Sequence, residues 1–133
     1  MRVPWSPIGR GQFAPLLTVG LRRHGSVMLT APMLLVDTGA DGTVLPIYSA
    51  KLLGFRDEAL IPERCTVAGG TVVVRRPSNL SGTQIEINGS WLPLPSLKFA
   101  DQILFPLLGR DIIFAHFDLE MTSSDFELRP RTR

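Results

Sequence analysis

The chain has 133 residues, 44% of them hydrophobic, the size and apolar content of one domain with a core of its own. No apolar run reaches the roughly 18 residues a membrane span needs; the best candidate, residues 27–36, is short and interrupted by Thr30 and Pro32, so no membrane partner is expected. The net charge of +2 falls to −1 once the three arginines of residues 129–133 are set aside, which reads as a solvated basic tail and predicts no nucleic-acid partner.

Cys65 is the single cysteine, which leaves no intrachain disulfide and fits a reducing cytosol. It reads as a small core residue, because no histidine pattern accompanies it as a nucleophile's base would. His24 and His116 have no carboxylates at ligand spacing, so neither a metal nor another cofactor is expected. Residues 1–7 carry one positive charge and no apolar stretch follows them, unlike a secretory leader, and a cytoplasmic location is expected.

Eleven prolines and twelve glycines leave little room for long helices, and short strands are predicted to dominate. Residues 1–12 read as a flexible arm, residues 13–128 as the domain, and residues 129–133 as the tail. Apolar positions alternate through Phe13, Pro15, Leu17, Val19 and Leu21, the pattern of a half-buried strand. After a turn at Arg23-His24-Gly25, residues 26–30 form a return strand. Met33-Leu34-Leu35-Val36 is a continuous apolar run predicted to be buried on both faces. Residues 49–57 hold at most a short helical turn, limited by Gly54 and Pro62. A hairpin follows over residues 65–76 with Gly69-Gly70 at its tip, then a second one built on Thr83-Gln84-Ile85-Glu86-Ile87, Asn88-Gly89 and residues 91–97. Residues 108–117 are the one segment fit for a helix, and residues 117–128 look like a terminal hairpin. The predicted fold class is therefore all-β with one short C-terminal helix.

The chemistry lies in two stretches. In the first, Leu34-Leu35-Val36-Asp37-Thr38-Gly39-Ala40-Asp41-Gly42-Thr43-Val44, a buried strand delivers a carboxylate into a turn of small residues, so the core holds the acid while its surroundings stay open to a ligand. Taken alone, Asp37-Thr38-Gly39 is equally compatible with an ordinary Asx turn. The second stretch is Leu107-Leu108-Gly109-Arg110-Asp111. Together and in this order, the two resemble the paired signatures of the retropepsin-like, or retroviral-type, aspartic proteases.

The resemblance spans about residues 13–128 and implies an acid-protease β-barrel forming one protomer of a homodimer. It makes Asp37, Thr38 and Gly39 catalytic, with Thr38 linking the two loops across the axis and Gly39 contacting substrate backbone. Ala40, Asp41 and Gly42 would line the substrate site, and Ala68, Gly69 and Gly70 would form the flap that covers it. Leu107, Leu108 and Gly109 would pack beside the catalytic strand, and Arg110 would pair, partly buried and bidentate, with Asp41. Gly42 stands where viral members often carry a second Asp, which removes a substrate contact. The terminal hairpin is more similar to cellular and bacterial members than to viral ones.

Hydrolysing an amide with carboxylates takes one ionised to activate water and one protonated to polarise the carbonyl. One chain supplies one such acid, since no second Asp-Thr-Gly or Asp-Ser-Gly occurs in the sequence. Two copies of Asp37 sharing a proton across a two-fold axis complete the pair, making the dimer obligate for activity, and predict an acidic pH optimum. The implied activity is that of an aspartic endopeptidase acting on peptides or proteins. A non-catalytic peptide-binding dimer of the same fold and a structural domain in which Asp37 caps a turn stand as alternatives.

Overall fold

The computed structural model describes residues 2–28, 33–67, 70–103 and 105–131. In chain order the elements are β1 (Arg2–Pro4), β2 (Ser6–Gly9), β3 (Gln12–Ala14), β4 (Leu16–Thr18), β5 (Gly20–Arg23), β6 (Ser26–Met28), β7 (Met33–Val36) and β8 (Thr43–Pro46). A short helix α1 (Tyr48–Leu52) and a 3-10 turn (Asp57–Ala59) precede β9 (Leu60–Val67), β10 (Gly70–Pro77), β11 (Thr83–Ile87), β12 (Ser90–Pro93), β13 (Leu97–Ala100) and β14 (Leu107–Leu108). The chain finishes with helix α2 (Arg110–His116), β15 (Phe117–Met121) and β16 (Asp125–Pro130). The protein is thus mostly β, and among the described residues no helix is long and apolar enough to cross a membrane.

A seven-stranded sheet ordered β4-β7-β14-β8-β13-β10-β9 is the frame, and a four-stranded sheet β12-β11-β5-β6 supplies part of the core beside it. Two pairings in the large sheet are parallel, β14 with β7 and β13 with β8, so strands far apart in sequence lie side by side. Leu34, Leu45, Phe99, Leu108, Ile112, Ile113 and Phe126 are fully buried where the sheets and α2 meet. The Phe99 ring lies 5.7 Å from that of Phe55 in a tilted arrangement.

Several elements follow directly from local chemistry. Asn88 and Gly89 both adopt positive φ, 51° and 84°, which is what a two-residue hairpin turn with the right twist requires. Strand β11 alternates cleanly, with Thr83, Ile85 and Ile87 buried. The terminal hairpin turns where Thr122 Oγ1 donates to Asp125 Oδ1 at 2.8 Å and accepts from the Ser124 and Asp125 N–H groups.

Other expectations are corrected. The alternating stretch from Phe13 to Leu21 is divided among β3, β4 and β5, which join three different sheets, and Phe13 is exposed. Met33-Leu34-Leu35-Val36 is not buried on both faces: Leu34 and Val36 point into the core, Met33 is exposed and Leu35 half-buried. The return strand expected over residues 26–30 is described as far as Met28, and Thr30 lies outside the described residues, as do Ala68 and Gly69 of the expected flap.

Nor is the segment expected as a flexible arm detached from the fold. β1 pairs antiparallel with β16, Val3 opposite Phe126, and Val3 and Trp5 pack against the core. The physical reason is that β16 has a backbone edge needing partners, which Arg2 reinforces through ion pairs to Asp125 at 2.6 Å and to Glu120. Arg129 and Arg131, expected to be simply solvated, meet Glu127 at 3.0 Å and Asp118 at 3.1 Å respectively.

Phe99 is fully buried in the core against Phe55, so Phe99→Ala should lower stability by about 3–5 kcal/mol in urea denaturation. A loss below about 1 kcal/mol would show that this packing does not hold the frame.

Candidate active site

Asp37 is delivered by β7, and three main-chain hydrogen bonds fix where that strand ends. Leu35 N–H donates to Pro106 O at 2.8 Å, Val36 N–H to Pro15 O at 2.9 Å and Asp37 N–H to Leu108 O at 3.0 Å. β14 is therefore wedged between β7 and β8, Leu107 being register partner to both Leu35 and Val44. As the resemblance implied, Leu107 and Leu108 lie beside the strand that carries the acid.

Beyond Asp37 the chain turns at once. Ala40 N–H donates to Asp37 O at 3.2 Å, and Gly39 N–H donates to Asp37 Oδ1 at 2.9 Å, which fixes one carboxylate oxygen against the turn. The carboxyl group is half-buried, whereas Thr38 and Gly39 are exposed.

The turn is held from below by the start of α2. No side chain caps this helix, so its first N–H groups need acceptors from elsewhere. The turn provides them: Arg110 N–H donates to Ala40 O at 2.9 Å and Asp111 N–H to Asp41 O at 3.2 Å. Gly109 makes the approach possible, since a Cβ there would come within 2.5 Å of the carbonyl carbon and oxygen of Gly42.

Arg110 does pair with Asp41, but the expected partly buried, bidentate anchor is corrected. One guanidinium nitrogen contacts one carboxylate oxygen, and the side chains are 48% and 90% exposed. A pair so open to solvent contributes at most about 1 kcal/mol. The backbone bonds, not the ion pair, secure the turn in a single protomer.

Thr43 and Asp111 lie within the two stretches but were assigned no role from the sequence. Thr43 is fully buried. Its hydroxyl accepts from Gly109 N–H at 3.5 Å and donates to Asp111 Oδ1 at 3.2 Å, joining β8 to α2. Asp111 Oδ2 is buried with no hydrogen-bond partner among the described residues. Burial pushes the Asp111 carboxyl above the ordinary aspartate range, and the Thr43 hydroxyl opposes the shift only in part. The signal available in the sequence was the alternation of Thr43, Val44 and Leu45, which places Thr43 on the core side.

Asp37 lines a cleft of about 710 Å³. Gly39, Ala40, Asp41 and Gly42 form its floor together with Val44 and Leu107. Cys65 and Thr66 of β9 contribute one wall, and Ser96 and Lys98 another. Cys65 is thus corrected from a core residue to a half-buried cleft residue. Gly70 stands at the start of β10, opposite Val67, with φ of 144°. Among the described residues no group of three or more histidine, cysteine or acidic side chains is arranged to hold a metal.

No family model matches the chain, and no curated protein matches it in sequence. Among solved structures it is similar to the crystal structure of a retropepsin-like aspartic protease from Rickettsia conorii, with 15% identity over 95% of each chain and a TM-score of 0.64. At that identity the likeness is one of fold, and the fold is retropepsin-like.

Gly109→Ala would force backbone apart where α2 meets the turn, and should cost about 1–3 kcal/mol or more; unchanged denaturation midpoints would contradict the close contact. A pH effect follows from Asp111. Because folding raises its affinity for a proton, its contribution to stability is full in acid and is lost as pH rises through its elevated folded value. Asp111→Asn should match the wild type in acid and become the more stable of the two towards neutral pH. Parallel stability curves across that range would refute the burial of a charge at this position.

Proposed function

We propose that the chain is one protomer of a homodimeric aspartic endopeptidase whose two Asp37 carboxylates activate a water for attack on a peptide bond. The observation that carries this reading is the position of Asp37: a half-buried acid, one oxygen held by Gly39 N–H, lining a cleft in a retropepsin-like fold. The fold of the Rickettsia conorii protein supports it further.

In the proposed reaction, two-fold pairing brings the Asp37 carboxyls together with one proton between them. The ionised member removes a proton from water as the oxygen attacks the scissile carbonyl, and the protonated member hydrogen-bonds the carbonyl oxygen as it gains charge. Collapse of the tetrahedral intermediate returns a proton to the departing amine and breaks the C–N bond. Thr38 and Gly39 are exposed, which leaves them open to a partner's loop and to the substrate backbone. The β9–β10 hairpin would cover the peptide, its Cys65 and Thr66 already facing the cleft.

Asp37→Asn should reduce kcat/KM on a cleavable peptide by at least about 100-fold, the usual scale of general acid–base catalysis, with unchanged circular dichroism and sedimentation. Full activity in that variant, or activity from a species that sediments as a monomer, would sink the proposal. If the wild type binds peptides without cutting them and the variant binds equally well, the binding-module alternative is correct. Cleavage by the wild type should peak in acid, and a profile flat into alkaline pH would contradict a shared proton.

A further inference from the structure

The cleft carries a positive charge that amide hydrolysis does not require. In the strand Leu97-Lys98-Phe99-Ala100 every residue but Lys98 is buried. Lys98 is the register partner of Val44, and both line the cleft, while the neighbouring partners Phe99 and Leu45 point the other way into the core. A lysine in such a strand is costly unless its charge is used.

Its ammonium meets Glu63 Oε1 on β9 at 2.6 Å, and Glu63 Oε2 accepts from Arg76 Nε on β10 at 3.2 Å. One carboxylate therefore serves two cations, and the cluster retains a net charge of +1. The Lys98 ammonium, foremost, and Arg76 hold the Glu63 carboxyl below the ordinary glutamate range, so this balance persists into acid. The other charge on the cleft floor besides Asp37, that of Asp41, is already matched by Arg110.

An ammonium has three donors, and one partner carboxylate leaves it capacity for a second acceptor. Ser96 stands in the same wall, its hydroxyl 2.6 Å from where a Cβ on Gly42 would be. The absence of a side chain at Gly42 thus makes room for a second donor beside Lys98.

We propose that Lys98, with Ser96, forms a subsite that selects an acidic side chain, Asp or Glu, of an extended peptide lying across Asp37. This deepens the peptidase reading, on which it rests for the identity of the ligand as a peptide. Lys98 is here a specificity determinant that touches the ligand's side chain, not a group in the proton transfers.

The test uses the full chain with two sets of peptides, each set made as pairs that differ only by Glu or Gln at one position along the sequence. One set is fluorogenic and cleavable; the other carries a statine in place of the scissile bond and is measured by calorimetry. At one position the wild type should favour Glu over Gln by about fivefold, the scale of one partly exposed charge pair, and added salt should narrow the ratio. Lys98→Met should bring that ratio to one, and Glu63→Gln, which frees the ammonium, should widen it. Parity between Glu and Gln at every position in the wild type, whether from equal binding or from none, overturns the inference, as does a preference that survives Lys98→Met. Absence of cleavage together with a Lys98-dependent preference among the statine peptides would instead overturn the peptidase reading and leave this subsite standing.

Discussion

Helix α2 begins without a capping side chain, and the turn after Asp37 has carbonyl oxygens that need donors. Each solves the other's problem. The first helical N–H groups, those of Arg110 and Asp111, donate to Ala40 and Asp41, so two segments about 70 residues apart are joined by backbone bonds and not by a side-chain cap. The contact is possible only because Gly109 lies against Gly42 with no room for a Cβ. β14 extends the same clamp one step earlier, its Leu108 carbonyl receiving the Asp37 N–H. Asp37 is thereby positioned by main chain on both sides.

Polar groups around this clamp divide by burial. Thr43 is fully enclosed and its hydroxyl is used in both directions, as acceptor from Gly109 and donor to Asp111. Asp111 is the cost of that arrangement, a carboxyl drawn out of water with one oxygen unmatched among the described residues. Arg110, next to Asp111, and Asp41, two residues before Thr43, are almost the opposite case: a pair open to solvent whose energetic weight is small in one protomer. Under the proposed pairing of two chains, that exposure would fall as the partner's loop approaches, and the same ion pair would then act in a drier setting.

Much of this architecture was legible in the sequence wherever a local rule was sufficient. Asn88-Gly89 demands positive φ and therefore a tight hairpin, and the apolar positions Ile112 and Ile113 require one buried helical face. The Asp-Thr-Gly stretch and the Leu-Leu-Gly-Arg stretch stood out by their resemblance to a family's paired signatures, and backbone bonds bring the two together. What could not be read was register between distant strands. The alternation from Phe13 to Leu21 continues across two sheet changes, because period two reports which face is buried and not which sheet a strand joins. Residues 1–12 look unstructured in isolation, since the edge of β16 that β1 completes is more than a hundred residues away. Cys65 and Lys98 enter the cleft only once β9 and β13 are in place, and neither carries a sequence signature of its own. Asp111 was passed over because a carboxylate in the first helical turn is favourable to the helix dipole, which hides its burial.

The two walls of the cleft differ in mechanical support. β13 lies inside the seven-stranded sheet, between β8 and β10, so Lys98 and the floor beneath it move with the core. β9 is the sheet's edge, and β10 pairs with β13 only at Val74 and Arg75. Beyond that point, among the described residues, Arg64–Val67 and Gly70–Val73 pair with each other and with no further strand, and Val72 and Val73 are exposed. A two-stranded ribbon with little burial belongs to the low-stability end of a structure. Glu63 sits at the base of this ribbon, opposite Val74, and Lys98 reaches it from β13, across β10. The Glu63 bridge therefore joins the supported wall to the unsupported one where the ribbon begins. A peptide carboxylate drawn to Lys98 would compete with Glu63 for the ammonium, which couples the proposed charge preference to how firmly the ribbon is tied down.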